Sequence, residues 1–203
     1  MISSSLNTFS LFTMIFSLIY IILVLMKSQI LIGCGSNLKN PLFQLSKAMH
    51  LLSAKHYITL YAASPIYISE PLGYKKQADF FNCVISIKTR VRAHSLLKTL
   101  LNIEKKMGRT RLFKNAPRVI DLDLLLFKHE KKSISRLPYL TLPHPEMLHR
   151  KFVLRPISDL DNHIKIPGKR ALYCYLRNTY NQEIKKSRKK IRLPFNSLCR
   201  ISR

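Results

Sequence analysis

Two stretches of the 203-residue chain repeat their apolar residues every three or four positions, which is the spacing of one helix face. The first begins at Pro41, directly after Asn40, and continues to about Ala54. Asn is a favoured N-cap and Pro is tolerated at the first helical position, so both residues mark a helix start. The second stretch runs from His94 to Met107. The pattern therefore predicts two amphipathic helices.

Four other stretches combine apolar residues with β-branched and aromatic ones, a composition typical of strands. They cover residues 29–34, 57–67, 81–89 and 120–127, and residues 69–79 form a polar loop. The order of these elements predicts an α+β fold. It suits a ferredoxin-like βαββαβ sandwich with both helices on one face of the sheet and extra C-terminal elements.

Beyond the fourth strand, residues 141–157 predict a loop, a short helix and one further strand. We divide the chain into three parts: an apolar N-terminal segment (residues 1–26), one domain (residues 27–168) and a basic C-terminal tail (residues 169–203). The tail is interpreted either as a solvated end or as a contact for nucleic acid or acidic lipid.

The N-terminal segment allows several interpretations. Residues 9–26 carry no charge and reach the lower length limit for a membrane span. If they span, the positive-inside rule leaves the basic remainder in the cytoplasm, anchored to the inner face of the membrane. Alternatively, a cytoplasmic domain starts at Met26, and residues 1–25 are an upstream extension that the working protein lacks. A cleaved signal peptide fits less well, because no Lys or Arg precedes the apolar run.

Charge narrows the classes of partner. The chain holds 35 Lys and Arg against 10 Asp and Glu, a formal net charge of +25. Only part of this excess lies in the C-terminal tail, so the domain is basic as well. Such an excess favours nucleic acid, phosphorylated small molecules or an acidic membrane surface. The 4 cysteines lack metal-binding spacing and indicate reduced, mostly buried thiols.

Two of the few acids stand two positions apart, at Asp121 and Asp123. Side chains alternate along a strand, so both carboxylates are expected on one face while Leu122 points to the core. Two adjacent carboxylates repel each other, and a divalent cation relieves this repulsion. Mg²⁺ takes one or two carboxylates together with water and phosphate oxygens. The alternative is a solvated strand face neutralised by Lys or Arg.

A basic loop precedes the acid pair. It contains Arg109, Arg111, Lys114 and Arg118. Cations beside a metal-binding pair suit a polyphosphate, because the transferred group must be neutralised and held in line. The chain has no Walker A motif, so a P-loop enzyme is excluded.

Six short motifs follow one another along the predicted domain. They are Gly35-Ser36-Asn37, Tyr67-Ile68-Ser69-Glu70-Pro71-Leu72-Gly73, Asp79-Phe80-Phe81-Asn82, Glu104 with Gly108-Arg109, Pro117-Arg118-Val119-Ile120-Asp121-Leu122-Asp123, and Leu142-Pro143-His144-Pro145 with Arg150 and Phe152. In these motifs, and over roughly residues 29–168, the chain resembles the 6-hydroxymethyl-7,8-dihydropterin pyrophosphokinases of the folate pathway.

The resemblance implies an activity: transfer of a diphosphate from ATP to the hydroxymethyl group of the dihydropterin, leaving AMP. It implies that Asp121 and Asp123 hold two Mg²⁺ ions that bridge the ATP phosphates. It also implies that Arg109, Arg111 and Arg118 are catalytic residues that neutralise and orient the triphosphate.

The resemblance further implies two binding sites. The nucleotide is expected to contact Glu104, Lys114, Thr141, His144 and Arg150. The pterin is expected to contact Ser69, Leu72, Phe80, Asn82 and Phe152, since a flat heterocycle suits aromatic rings and an amide that pairs with its edge. The implied partners are these two small molecules, with no specific nucleic acid, possible membrane contact only through residues 9–26, and a monomeric state.

Two other classes of protein remain as alternatives. A basic RNA-binding module with a ferredoxin-like fold suits the charge, but it needs paired aromatics in an RNP-like segment, which the sequence lacks. It also leaves Asp121 and Asp123 unexplained, because acids on a binding face repel phosphate. A membrane-anchored nucleotide-sugar transferase with a DxD motif suits the apolar segment, but the domain is small for that chemistry.

Overall fold

The computed structural model describes residues 30–110, 113, 115–128, 130–135, 138–191 and 200–201. Its main strands are β1 (Ile30–Ser36), β2 (Ile58–Ala63), β3 (Tyr67–Ser69), β4 (Phe80–Thr89) and β5 (Asp121–Phe127). Its helices are α1 (Pro41–Ser53), α2 (Ala93–Lys106), α3 (Lys151–Leu160) and α4 (Leu172–Asn178), with a 3-10 helix over Pro145–His149. Short strands are β6 (Lys132–Ile134), β7 (Leu140–Leu142), β8 (Ile184–Lys186) and β9 (Arg200–Ile201). Helices and a largely antiparallel sheet confirm the predicted α+β class.

In the main sheet, β1 lies between β5 and β4. The strands of this sheet lie in the order β5-β1-β4-β2, and β1 is antiparallel to both of its neighbours. The register sets Gly35 of β1 opposite Asn82 on one side and opposite Asp121 on the other. A Cβ at Gly35 would come within 2.9 Å of the Asn82 amide oxygen. Gly35 therefore lets a polar group and an acid approach each other across the sheet.

Apolar side chains cover both faces of the sheet. On one face, Ile32 and Ile85 are fully buried against α1 and α2. On the other face, Leu31 and Val84 pack with Leu154 and the rest of α3. The molecule therefore has three layers, with helices on both sides of the sheet.

In α1, the buried Leu45, Met49 and Leu52 recur at the predicted helical spacing. In α2, Leu100 is buried but Leu97 is only partly buried.

Two element predictions are corrected. Residues 57–67 do not form one strand, because β2 ends before Pro65 and β3 begins after it. Proline has no N–H to donate and interrupts the ladder of hydrogen bonds. The further strand predicted after the short helix is wrong, since these residues form α3. Val153, Leu154 and Ile157 lie at helical spacing and fill the second core, which decides the conformation.

The C-terminal region folds onto the domain within residues 169–191. Helix α4 packs with α3, and β8 pairs antiparallel with β3, with Ile184 opposite Ser69. A solvated end is therefore the wrong interpretation for this part of the tail. Within the described ranges, no helix is long and apolar enough to cross a membrane. The span predicted over residues 9–26 lies outside those ranges.

Candidate active site

Two carboxylates stand at the start of β5. Leu122 lies between them and points into the core between the sheet and helices α1 and α2, where it is 2% exposed. Strand alternation therefore turns Asp121 and Asp123 to the opposite face, and both line the same cleft. The structure brings the two acids together as their spacing predicts.

Arginines surround the two acids. Arg109 pairs with Asp121 at 2.7 Å between Nη2 and Oδ1, and Arg118 pairs with the other oxygen of that carboxylate. Arg150 approaches Asp123 at 3.8 Å between Nη1 and Oδ2. The Arg109 side chain is 8% exposed, so its charge is held inside the protein next to the acids. The site therefore combines a small acidic centre with a cationic rim.

The negative charge on Asp123 is unfavourable in this setting. Burial raises the pKa of Asp123, and the neighbouring Asp121 carboxylate raises it further. His144 and Arg150 act in the opposite direction. A cation bound between the two acids would stabilise their ionised forms.

Glu104 lies behind the acid pair, at the end of α2. Its carboxylate is 4% exposed, accepts a hydrogen bond from the Leu122 N–H at 2.6 Å, and forms an ion pair with Arg109. Burial raises the pKa of Glu104 to about 7, against the lowering effect of Arg109. Glu104 thus connects α2, the start of β5 and an arginine of the site.

A polar network holds Arg118 in place. Asn37 accepts a hydrogen bond from the Arg118 N–H at 2.8 Å and donates its own N–H to the Arg118 carbonyl at 3.1 Å. The Asn37 amide also donates to Gln77 at 2.8 Å, and Gln77 donates to the Asn115 carbonyl at 3.0 Å. Sequence analysis assigned no role to Asn37 or Gln77. Asn37 and Gln77 are 40 residues apart, so no local sequence pattern indicates that their side chains meet.

The five residues predicted to bind the pterin meet in one cleft. The cleft encloses about 710 Å³, including the space open to solvent, and it ends at the acid pair. Asn82 is 7% exposed and donates to the Ser69 hydroxyl at 3.0 Å, so its amide is fixed in orientation. The lining contains two aromatic rings and one exposed aliphatic side chain: Phe80, Phe152 and Leu72.

A second cleft lies on the other side of the acids. Three of the residues predicted to bind the nucleotide line it, together with Asp123: Glu104, Thr141 and His144. Its apolar wall includes Tyr139, which is 69% exposed and which sequence analysis did not single out. A flat base would find hydrophobic contact there.

A third cleft connects the first two. It is lined by the acid pair and by cationic or ionisable groups: Arg109, Arg118, Asp121, Asp123, His144 and Arg150. Asp123 lines all three clefts. Arg111 and Lys114, which the sequence also predicts here, lie outside the described residues. The geometry suits two small molecules that meet at Asp123, with phosphate groups between the arginines.

Comparisons with known proteins identify the family of the chain. The family model of 7,8-dihydro-6-hydroxymethylpterin-pyrophosphokinase (HPPK) matches residues 31–162. The 2-amino-4-hydroxy-6-hydroxymethyldihydropteridine pyrophosphokinase of Pseudomonas aeruginosa is 37% identical over 147 residues, which are 72% of this chain and 89% of that protein. The folic acid synthesis protein FOL1 of Dictyostelium discoideum is 36% identical over 126 residues, 62% of this chain and 18% of that protein.

A solved structure supports the fold. The crystal structure of wild-type Plasmodium falciparum HPPK-DHPS with STZ-DHP superposes with a TM-score of 0.61 at 15% sequence identity. The match covers 75% of this chain and 43% of that chain. The family match spans more than half of the chain and contains the acid pair and both clefts. The chain belongs to the 7,8-dihydro-6-hydroxymethylpterin pyrophosphokinase family, and it is a pyrophosphokinase of folate biosynthesis.

Proposed function

We propose that this chain transfers a diphosphate from ATP to 6-hydroxymethyl-7,8-dihydropterin in a Mg²⁺-dependent reaction whose metal site is Asp121 and Asp123. The hydroxymethyl oxygen releases its proton to solvent and forms a bond to the β-phosphorus, the bond from this phosphorus to the α–β bridging oxygen breaks, and AMP leaves. One observation carries the proposal: Asp123 lies where the pterin cleft and the nucleotide cleft meet.

The donor atoms of the site fit Mg²⁺. Asp121 and Asp123 supply carboxylate oxygens, and Mg²⁺ completes its shell with water and substrate phosphate oxygens. Within the described ranges, no group of three or more His, Cys, Asp or Glu side chains could hold a metal by itself. A site with two carboxylates therefore depends on the substrate for further ligands. When bound, the ions would neutralise phosphate charge.

The arginines are proposed to neutralise phosphate charge as well, by contacting the phosphate oxygens. In the structure, Arg109 and Arg118 pair with Asp121. When ions and triphosphate enter, the same guanidinium groups can turn to the phosphates, with planar donors suited to phosphate geometry. The Arg109 Nε is buried and has no hydrogen-bond partner among the residues that the structure describes. Arg111 and Lys114 are proposed to add charge from the same loop.

His144 is proposed to contact a phosphate through Nε2. Its Nδ1 accepts a hydrogen bond from the Glu146 N–H at 3.3 Å. Burial lowers the pKa of His144, and a neutral ring that accepts at Nδ1 carries its proton at Nε2. Thr141 and Arg150 are proposed as further contacts of the nucleotide, and Glu104 as a residue that lines its cleft and holds Arg109.

The pterin is proposed to lie between Phe80 and Phe152. Asn82, held by Ser69, presents an amide that can pair with the ring edge, and Leu72 would cover the remaining side. This arrangement brings the hydroxymethyl group towards the acid pair.

The remaining predictions belong to the same proposal. The strand order β5-β1-β4-β2, with antiparallel neighbours, supports the ferredoxin-like arrangement. We further propose that the protein acts as a monomer in the cytoplasm, where ATP is available, with no specific nucleic-acid partner. The boundaries of the domain at residues 27–168, and anchoring through residues 9–26, stay predictions.

Binding of an inert ATP analogue tests the metal site. The analogue carries a methylene group in place of the α–β bridging oxygen, so that no diphosphate is transferred. We expect calorimetry of the full chain to give about tenfold tighter binding with Mg²⁺ than with chelator, because ion and triphosphate share ligands. The Asp123→Asn variant should lose this gain, whereas Glu130→Gln, at a half-buried ion pair with Lys132, should keep it. Equal affinity of the wild type with and without Mg²⁺ would refute the metal site.

A further inference from the structure

The region after residue 162 lies outside the match to the family model, and yet it contacts the site. After α4 the chain turns at Thr179, which is 2% exposed, and then forms β8 at the free edge of β3. The Ser187 N–H donates to the Ile66 carbonyl at 2.9 Å and extends this pairing. The segment from Thr179 to Ser187 is therefore fixed at both ends, and Gln182 lies within it.

Gln182 bridges the backbone on both sides of Arg150. Its Nε2 donates to the His149 carbonyl at 2.7 Å, and its Oε1 accepts from the Lys151 N–H at 2.8 Å. The Lys151 ammonium also donates to the Tyr180 carbonyl at 3.2 Å. One amide side chain thus meets the residue before Arg150 and the residue after it.

The His149 carbonyl and the Lys151 N–H have no partner within their own helices. His149 ends the 3-10 helix and Lys151 begins α3, so a carbonyl and an N–H are left unpaired at the junction. Arg150, between them, has extended backbone angles, φ −119° and ψ 107°, and its side chain makes no capping hydrogen bond. Gln182 therefore supplies from a distant segment the hydrogen bonds that fix this junction.

The direction of the Arg150 side chain depends on that junction. Arg150 lies in the pterin cleft and in the connecting cleft, with its guanidinium 3.8 Å from the Asp123 carboxylate. On the C-terminal side, its carbonyl accepts from the Val153 and Leu154 N–H groups at 3.0 Å, which connects Arg150 to α3. A small rotation at residues 149–151 would move the end of this long side chain much further.

We propose that Gln182 is a positioning residue for diphosphate transfer, acting through Arg150. By holding both peptide groups next to Arg150, it keeps the guanidinium in place to meet the triphosphate. Preorganisation of this kind matters because a displacement of about 1 Å in a positioning group can lower a rate by up to a hundredfold. The inference rests on the nucleotide-binding role proposed above for Arg150.

A double-mutant cycle separates positioning from a general structural effect. The variants are Gln182→Ala, Arg150→Ala and the combination of both, with the exposed neighbour Asn181→Ala as the matched control. The readouts are kcat and KM for ATP, from AMP release by the full chain, together with the melting temperature of each variant. Gln182→Ala should lower kcat/KM for ATP about tenfold, and Arg150→Ala about a hundredfold. Asn181→Ala should match the wild type.

The decisive comparison is the combined variant. If Gln182 acts through Arg150, removing both side chains gives the same kcat/KM as Arg150→Ala alone. If the two losses multiply, Gln182 affects activity by another route and the inference is wrong. Wild-type kinetics for Gln182→Ala would refute it as well. Wild-type kinetics for Arg150→Ala would remove the role of Arg150 and this inference with it, while pyrophosphokinase activity itself would stand.

A second substitution covers the case in which Gln182→Ala does not fold. Gln182→Glu keeps the side-chain length and the oxygen that accepts from the Lys151 N–H, but it loses the N–H donated to His149. Its loss of kcat/KM should likewise vanish in the Arg150→Ala background. A loss that persists in that background contradicts the proposal.

Discussion

Glu104 illustrates how one buried acid links several parts of the site. It accepts from the backbone of β5, pairs with Arg109, and lines the nucleotide cleft. Burial makes its ionised form costly, so the folded protein holds the proton more tightly than the unfolded chain does. The stability of the protein should therefore change with pH at this residue.

We expect the Glu104→Gln variant to reveal this dependence. Between pH 4.5 and about 7, the unfolded chain releases the proton of Glu104 while the folded protein keeps it. The free energy of unfolding of the wild type should thus fall with rising pH relative to the variant, by on the order of 3 kcal/mol across this window. Above pH 7 the difference should stay constant. The measurement is urea unfolding at several pH values.

The Glu130→Gln variant, at a half-buried side chain, is the control for the loss of one acid. If the wild type and Glu104→Gln gave parallel curves of unfolding free energy against pH, the proton would not be held by Glu104 in the folded state.

At the residue scale, local spacing predicts the acid pair but not the network around it. Asp121 and Asp123 are two apart on an apolar strand, so alternation alone puts them on one face. Asn37 and Gln77 act across 40 residues, and their partners are mostly backbone groups. Local patterns in a single sequence do not indicate such long-range contacts. For this reason Gln182 also escaped sequence analysis.

At the element scale, α3 and β3 each contribute a wall of the cleft proposed for the pterin, and a polar cluster joins them. The Tyr67 hydroxyl, on a residue that is 4% exposed, donates to Asp159 at 2.6 Å. Arg155 donates to the same hydroxyl at 3.4 Å and pairs with Asp159 at 3.3 Å. The cluster therefore sets the distance between the two walls.

Removing that hydroxyl tests the connection. Tyr67→Phe should lower the free energy of unfolding by about 1–2 kcal/mol, because the hydrogen bond is partly buried and its acceptor is charged. Denaturant unfolding measures this change. Tyr180→Phe, at a side chain that is 82% exposed, is the matched control and should alter stability by less than about 0.5 kcal/mol. Equal stability of Tyr67→Phe and the wild type would mean that the cluster does not join the walls.

Element prediction succeeded where one periodicity dominates. The helical repeat gave α1 and α2 to within about two residues, and the strand composition gave β1, β4 and β5. Element prediction failed for residues 151–157, because a short apolar run with Val and Ile is compatible with both a strand and a helix. Contact with the second face of the sheet decides between them, and that contact is not encoded locally.

At the scale of the whole molecule, a chain with a net charge of +25 concentrates two of its 10 acids at one point. The clefts proposed for the pterin and the nucleotide open on either side of β5, so one sheet positions both. The basic surroundings suit a polyphosphate, and the acids suit the cation that accompanies it. The region beyond the family match then completes the edge of the sheet beside the pterin cleft.

The most direct test is the formation of AMP by the full chain from ATP and Mg²⁺, with and without 6-hydroxymethyl-7,8-dihydropterin. We expect AMP only when the pterin is present, a loss of roughly a hundredfold or more in Asp123→Ala, and wild-type rates in Glu130→Gln. AMP that forms equally without the pterin, or Asp123→Ala acting at the wild-type rate, would contradict the assignment of Asp123 to the point where the two substrates meet.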